Sequence, residues 1–371
     1  MQVQDYTKNE YFERVAEKKL PFLGTYYESE HRVLALFLQY LQLVPNDPGF
    51  HKSDFKNFIH LLNKRIVKAF KEEDDTALLE IHLILYTIYE IYLMNPMAPA
   101  VKHLNQNWLI SIKNQIETPW IEKERDSIKH LLPKASELTN FDRFRSWLVN
   151  ISEDKDPVNK IVTDYFKNDA TLEDFKRFIH IDQHLNHRFY DAIALTLPHF
   201  SESIKAQLSH HYWEEAGEGN HTKAHTYQFT KILDHLGIEI NNTPPWNDWR
   251  AFAGFNIYFL FAFNREHYFK AIGSLGMPEL FDVNRDSELV AGLDRLGEDV
   301  EKHYFYYIAH VEMDAEHGNE WLDLIVKKMV EQEPDSAEEI AIGALIRMKY
   351  MRLFNQYLCK TFDISVSSLS S

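Results

Sequence analysis

Apolar residues recur every three to four positions through nearly every long segment of this chain, and no stretch keeps the strict alternation of a half-buried strand. Glycine and proline fall mainly between those segments. The pattern predicts an all-α protein, with helices near residues 31–44, 53–72, 74–93, 98–116, 120–131 and 140–151. Beyond the polar stretch 152–157, Thr171 reads as an N-cap followed by the first-turn acids Glu173 and Asp174, and opens a helix that Pro198 closes. Further helices are expected near 202–216, 221–236, 246–275, 298–332 and 336–360. No fixed-period repeat is present, which argues against a solenoid. Residues 1–139 carry no legible chemistry, and their Leu-, Ile- and Tyr-rich helices suit dimerisation or packing; the chemistry falls in residues 140–371.

Charge narrows the range of partners. With 40 basic against 56 acidic residues the formal charge is -16, so neither nucleic acid nor an anionic membrane is an expected partner, and a small-molecule substrate is. The most apolar run, 249–263, contains Arg250 and Asn256 and is too short to cross a bilayer. The first ten residues lack a basic segment and an apolar segment, and the one cysteine, Cys359, has no intramolecular partner, so the expected location is the cytoplasm.

His310, Asp314 and His317 stand at i, i+4 and i+7, on one face of a single helix. That face continues through Trp321 and Ile325 and back to Tyr306, so the three polar groups lie on an apolar stripe. A shared metal ion satisfies them together. The same reasoning selects partners on other helices. The stripe Ile204, Leu208, His211, Glu215 marks Glu215 as the inward acid and leaves Glu214 with Gln207 and His210 on the polar side. His225 heads a stripe with Phe229 and Leu236, while His221 faces away. In the helix opened by Thr171, Asp182 lies among Phe175, Phe178 and Leu185 and is preferred to its rival Asp191. Asp182, Glu215, His225, His310, Asp314 and His317 offer three carboxylates and three imidazoles, a set that suits two ions of the Fe or Mn type better than one structural zinc. Asn256, Tyr258, Phe259, Phe263 and His267 are candidate walls of a substrate space.

Glu214-Glu215-Ala-Gly217-Glu-Gly219 with His225 after five further residues, followed later by His310-x3-Asp314-x2-His317, resembles the haem-oxygenase-like diiron oxidases and oxygenases, or iron-containing redox enzymes. The likeness is greatest to N-oxygenating members that carry a helical, dimer-forming region ahead of the diiron domain. One departure is that the first carboxylate, commonly glutamate in the family, would be Asp182 here. The resemblance implies a haem-oxygenase-like bundle of about seven helices holding two Fe ions, with O2 as co-substrate, an external electron donor and a homodimer. It implies oxidation of a small metabolite, with N-oxygenation of an amino-acid-derived amine or guanidine as the first reading. Desaturation or C–C scission of a fatty acid or amino acid at the same site is the second, and a non-catalytic helical metal-binding or scaffold protein the third.

Overall fold

Helix periodicity is realised throughout. The computed structural model describes residues 32–43, 52–238 and 248–369, and every regular element among them is helical. The principal helices are α1 (Arg32–Gln42), α2 (Lys52–Phe70), α3 (Asp75–Leu93), α4 (Asn107–Ile128), α5 (Phe141–Ser152), α6 (Leu172–Asn186) and α7 (Phe189–Thr196). They are followed by α8 (Glu202–Glu215), α9 (His225–Leu236), α10 (Arg250–Phe263), α11 (Tyr268–Arg295), α12 (Phe305–Glu320) and α13 (Ser336–Thr361).

Three differences from the expected elements have local causes. The helices expected at 98–116 and 120–131 are one, because Ile112, Ile116 and Trp120 bury a continuous face that carries α4 across Pro119. The helix expected from 171 to 198 breaks after Asn186, where Arg188 leaves helical geometry at φ -129 and ψ -2. The run 246–275 breaks at Asn264, and its second part continues as α11 for 28 residues, through Gly276 and Pro278, which read in sequence as a stop. Buried Met277, Leu289 and Leu293 hold that continuation in the core.

The chain divides into two compact units, Met1–Glu124 with Ile240–Asn256, and Arg125–Glu239 with Ile257–Ser371, where the sequence suggested a border near 139. In the first unit α3 is buried along most of its length. It is long and apolar enough to cross a membrane, with mean hydropathy 1.3, yet 83% of it is buried inside the fold. It also carries Glu80, paired with Arg65 and capping the amide of Leu34, and His82, stacked on Trp249 and edge-on to Trp120. Burial lowers the His82 imidazole to about 3, so it stays neutral, and Asn256 donates to the His82 carbonyl at 2.9 Å. Asn256 therefore belongs to this packing.

In the second unit α11 is the central helix, packed between α12 and α13. The approach of α12 depends on Gly318. A Cβ there would stand 2.6 Å from the carbonyl oxygen of Glu279 and 2.8 Å from Leu280. At this one position only glycine lets the two backbones meet, one residue past His317. α12 then runs directly into a π-helical turn, Trp321–Val326.

Candidate metal centre

Sequence spacing brings the ligand-type side chains to the last turn of α8, the first residue of α9 and positions 310 and 317 of α12. His211, Glu214 and Glu215 close α8, with His211 three residues before one acid and four before the other, so all three share a broad face. The chain then turns sharply. Gly217 takes φ 76, and its amide bonds to the carbonyl of Glu214 at 2.8 Å, while a side chain there would strike the backbone at Asn220 and Ala224. That turn delivers His225 as the first residue of α9, back beside Glu215. The Nδ1 of His225 lies 2.8 Å from Oε2 of Glu215, and its ring is 4.4 Å from that of His310 on α12.

Two groups of ligand atoms result, each with all members within 4.8 Å of one another: Glu215, His225 and His310, and His211, Glu214 and His317. The His211 and His317 rings are 5.0 Å apart. His317 Nε2 stands 3.2 Å from Oε2 of Glu214, and its Nδ1 stands 3.6 Å from Oε2 of Glu279 on α11. His310 donates Nδ1–H to the carbonyl of Tyr306 at 2.7 Å, which leaves Nε2 with its lone pair.

Of the residues expected from sequence, Glu215, His225 and His310 come together, and His317 lies in the second group. Asp314 is on α12, and its side chain lies outside the described residues. Asp182 is in neither group. It is buried, but its Oδ2 accepts from Arg285 Nη2 and from Asn186 Nδ2, each at 2.9 Å. Asn186 in turn accepts from the Tyr306 hydroxyl at 2.8 Å, and the Tyr306 ring packs 4.3 Å from His310. The rival Asp191 pairs with Arg188 at 3.2 Å. Glu214 departs from its expected place on the polar side: it is half-buried with its carboxylate turned to His317. The inward face of α8 is wider than one stripe, because His317 of α12 meets α8 on the side that Glu214 faces. Glu279 was missed altogether, since it lies in the part of α11 beyond Gly276 and Pro278.

Protonation in the metal-free protein follows from this crowding. Burial raises the Glu215 carboxyl, but the His225, His310 and His317 imidazoles outweigh it and hold the group at about 2. Burial lowers His225 while Glu215 raises it, with the net direction upward. His310 and His211 are each lowered to about 4, chiefly by burial. Burial also acts against charge on His317, but Glu279, Glu214 and Glu215 raise it to about 9. At Glu279 burial dominates and raises the carboxyl.

The donor set fits iron. His225 Nδ1, His211 Nε2 and Glu214 Oε2 are buried without a hydrogen-bond partner, although carboxylate and imidazole atoms stand close by. Buried carboxylate and imidazole atoms gathered this closely suit a shared cation. No curated protein matches the chain. Residues 176–351, which hold both groups together with Asp182, Glu279 and Asp314, match the model of the family described as iron-containing redox enzyme, a match that supports an iron-dependent oxidoreductase.

Proposed function

We propose that this protein is a non-haem diiron oxidase or oxygenase that uses O2 to oxidise a small metabolite. The observation that carries the reading is the pair of histidine and carboxylate groups with unpartnered buried ligand atoms. Glu215, His225 and His310 would hold one ion, and His317 with Glu214, His211, Glu279 or Asp314 the other. A bound iron pair supplies reduction of O2 coupled to oxidation of an organic substrate.

The protein groups prepare that chemistry. The Tyr306 carbonyl fixes the tautomer of His310, and Asp182 reaches it through Asn186 and the Tyr306 hydroxyl, so Asp182 is a positioning residue at least. Glu215 pulls the His225 imidazole upward and Glu279 and Glu214 raise that of His317, so protons compete with a metal ion for both rings. Within this reading the reaction is N-oxygenation of an amino-acid-derived amine or guanidine, with desaturation or C–C scission of a fatty acid or amino acid as the second possibility. An external donor would return the irons to the ferrous state.

Anaerobic loading with ferrous iron, followed by metal analysis and admission of O2, tests the proposal. Two irons per chain and an oxygen-dependent absorbance change are expected. Protein that retains no iron, or whose iron ignores O2, would refute it.

A further inference from the structure

In the group His211, Glu214 and His317 both histidines are buried, and Glu214 is the member that reaches solvent. Its two oxygens face different ways. Oε2 is buried without a hydrogen-bond partner and stands 3.2 Å from Nε2 of His317. Oε1 stands 3.6 Å from Nε2 of His210, one turn earlier on α8, whose side chain is 53% exposed. One carboxylate thus spans the wall between water and the metal centre, with an imidazole at each oxygen.

A histidine and a glutamate four residues apart on a helix ordinarily form a surface ion pair, which at this exposure adds little to stability. That reading leaves the inward oxygen of Glu214 unexplained. Two ligand atoms that share an ion, each about 2.1 Å from it, lie roughly 3.4 Å apart. His210 Nε2 and Glu214 Oε1, at 3.6 Å, therefore stand close to the bite of a cation. Spacing i, i+4 is also that by which two side chains of one helix grip a metal. Among the described residues no third His, Cys, Asp or Glu completes a group with His210, so the outer pair suits brief capture rather than lasting residence. An ion that enters a buried site must shed water before all its ligands are in place, and ligand atoms at the surface replace that water stepwise. A net charge of -16 draws cations to the surface in general, but it does not mark where they cross it.

We propose that His210 and Oε1 of Glu214 form the port through which ferrous iron enters and leaves the metal centre. The ion is held first between these two atoms and then passes to Oε2 of the same carboxylate, where His211 and His317 complete its coordination. The proposal rests on the diiron reading for the ion's destination. A port lowers the barrier equally in both directions, so it changes the rates of uptake and release and leaves the equilibrium content alone. A ligand or a structural prop would change that content.

The test uses the full chain. Metal-free protein is mixed anaerobically with ferrous iron, unbound iron is trapped at timed intervals with a chromophoric chelator, and release is followed from loaded protein in excess chelator. His210→Gln should take up and release the iron of this group about tenfold more slowly than the wild type, with the same iron content at equilibrium. His210→Glu, which restores a ligand atom, should bring uptake back toward the wild-type rate. His221→Gln, at an exposed histidine of the following turn, should leave it unaltered. Exchange at the wild-type rate in His210→Gln overturns the proposal, as does a lower iron content at equilibrium in that variant or equal slowing by His221→Gln. In each of these outcomes the diiron reading stands, whereas a wild type that binds no iron defeats that reading and the port with it.

Discussion

At the scale of single residues, the two acids that differ from expectation make opposite predictions. Glu214→Ala removes a carboxylate 3.2 Å from His317, so iron content should fall from about two per chain toward one. Asp182→Ala removes a buried carboxylate that accepts from both Arg285 and Asn186, and should cost about 2 kcal/mol of stability by chemical denaturation while iron content holds. Loss of iron in the second variant would return Asp182 to the ligand set. Glu215, His225, His310 and Asp182 were legible as inward-facing because each stands on an apolar row that a helix must turn inward; Glu215, His225 and Asp182 are buried and His310 is half-buried. Such a row does not say whether a buried acid meets a metal or an arginine, since Arg285 is 103 residues away in sequence.

Among the elements, α11 was the least legible. Gly273, Gly276 and Pro278 follow one another closely, and local propensity reads such a run as a break. Tertiary burial overrides it, and with the helix come Glu279 beside His317 and Arg285 beside Asp182. The N-cap at Thr171 is formed as expected, its hydroxyl accepting from the Asp174 amide at 3.2 Å, and Asp174 completes a capping box by accepting from the Thr171 amide at 2.9 Å. The contact of α11 with α12 gives the prediction proper to this scale. Gly318→Ala forces a methyl group against the Glu279 carbonyl, so α12 must move off α11. About 1–3 kcal/mol of stability should be lost, and iron content should drop although no ligand is changed. Normal iron occupancy in that variant would show that the close approach does not set the site.

For the molecule as a whole, helical class was readable from periodicity, whereas the division into units was not. Residues 240–256 group with the start of the chain, a long-range association that no local pattern announces. Because the proposed ligands come from α8, α9 and α12, with Glu279 of α11 beside His317, bound ions would tie these helices of one unit together. Ferrous iron at about 100 times its dissociation constant should therefore add about 2.7 kcal/mol of stability, read as a rise in melting temperature that a chelator reverses. A melting curve indifferent to iron would mean that the ion does not bind the folded state preferentially. We further propose a homodimer, for which sedimentation of the chain of 43.9 kDa should report about twice that mass.

The turn between α8 and α9 reaches beyond this one molecule. Its amides are bonded in succession, Gly217 to Glu214, Glu218 to Trp213, Asn220 to Gly217 and Lys223 to Asn220, and position 217 lies against the backbone at Ala224. Such a loop has no slack. One inserted or deleted residue would rotate His225 about the axis of its helix and carry its imidazole away from Glu215. Descent with a working centre should then tolerate length changes at the α7–α8 and α9–α10 connections but none between Glu214 and His225. The interval is a ruler, and its constancy, more than residue identity along it, is the mark by which distant genomic cousins of this chain should be sought.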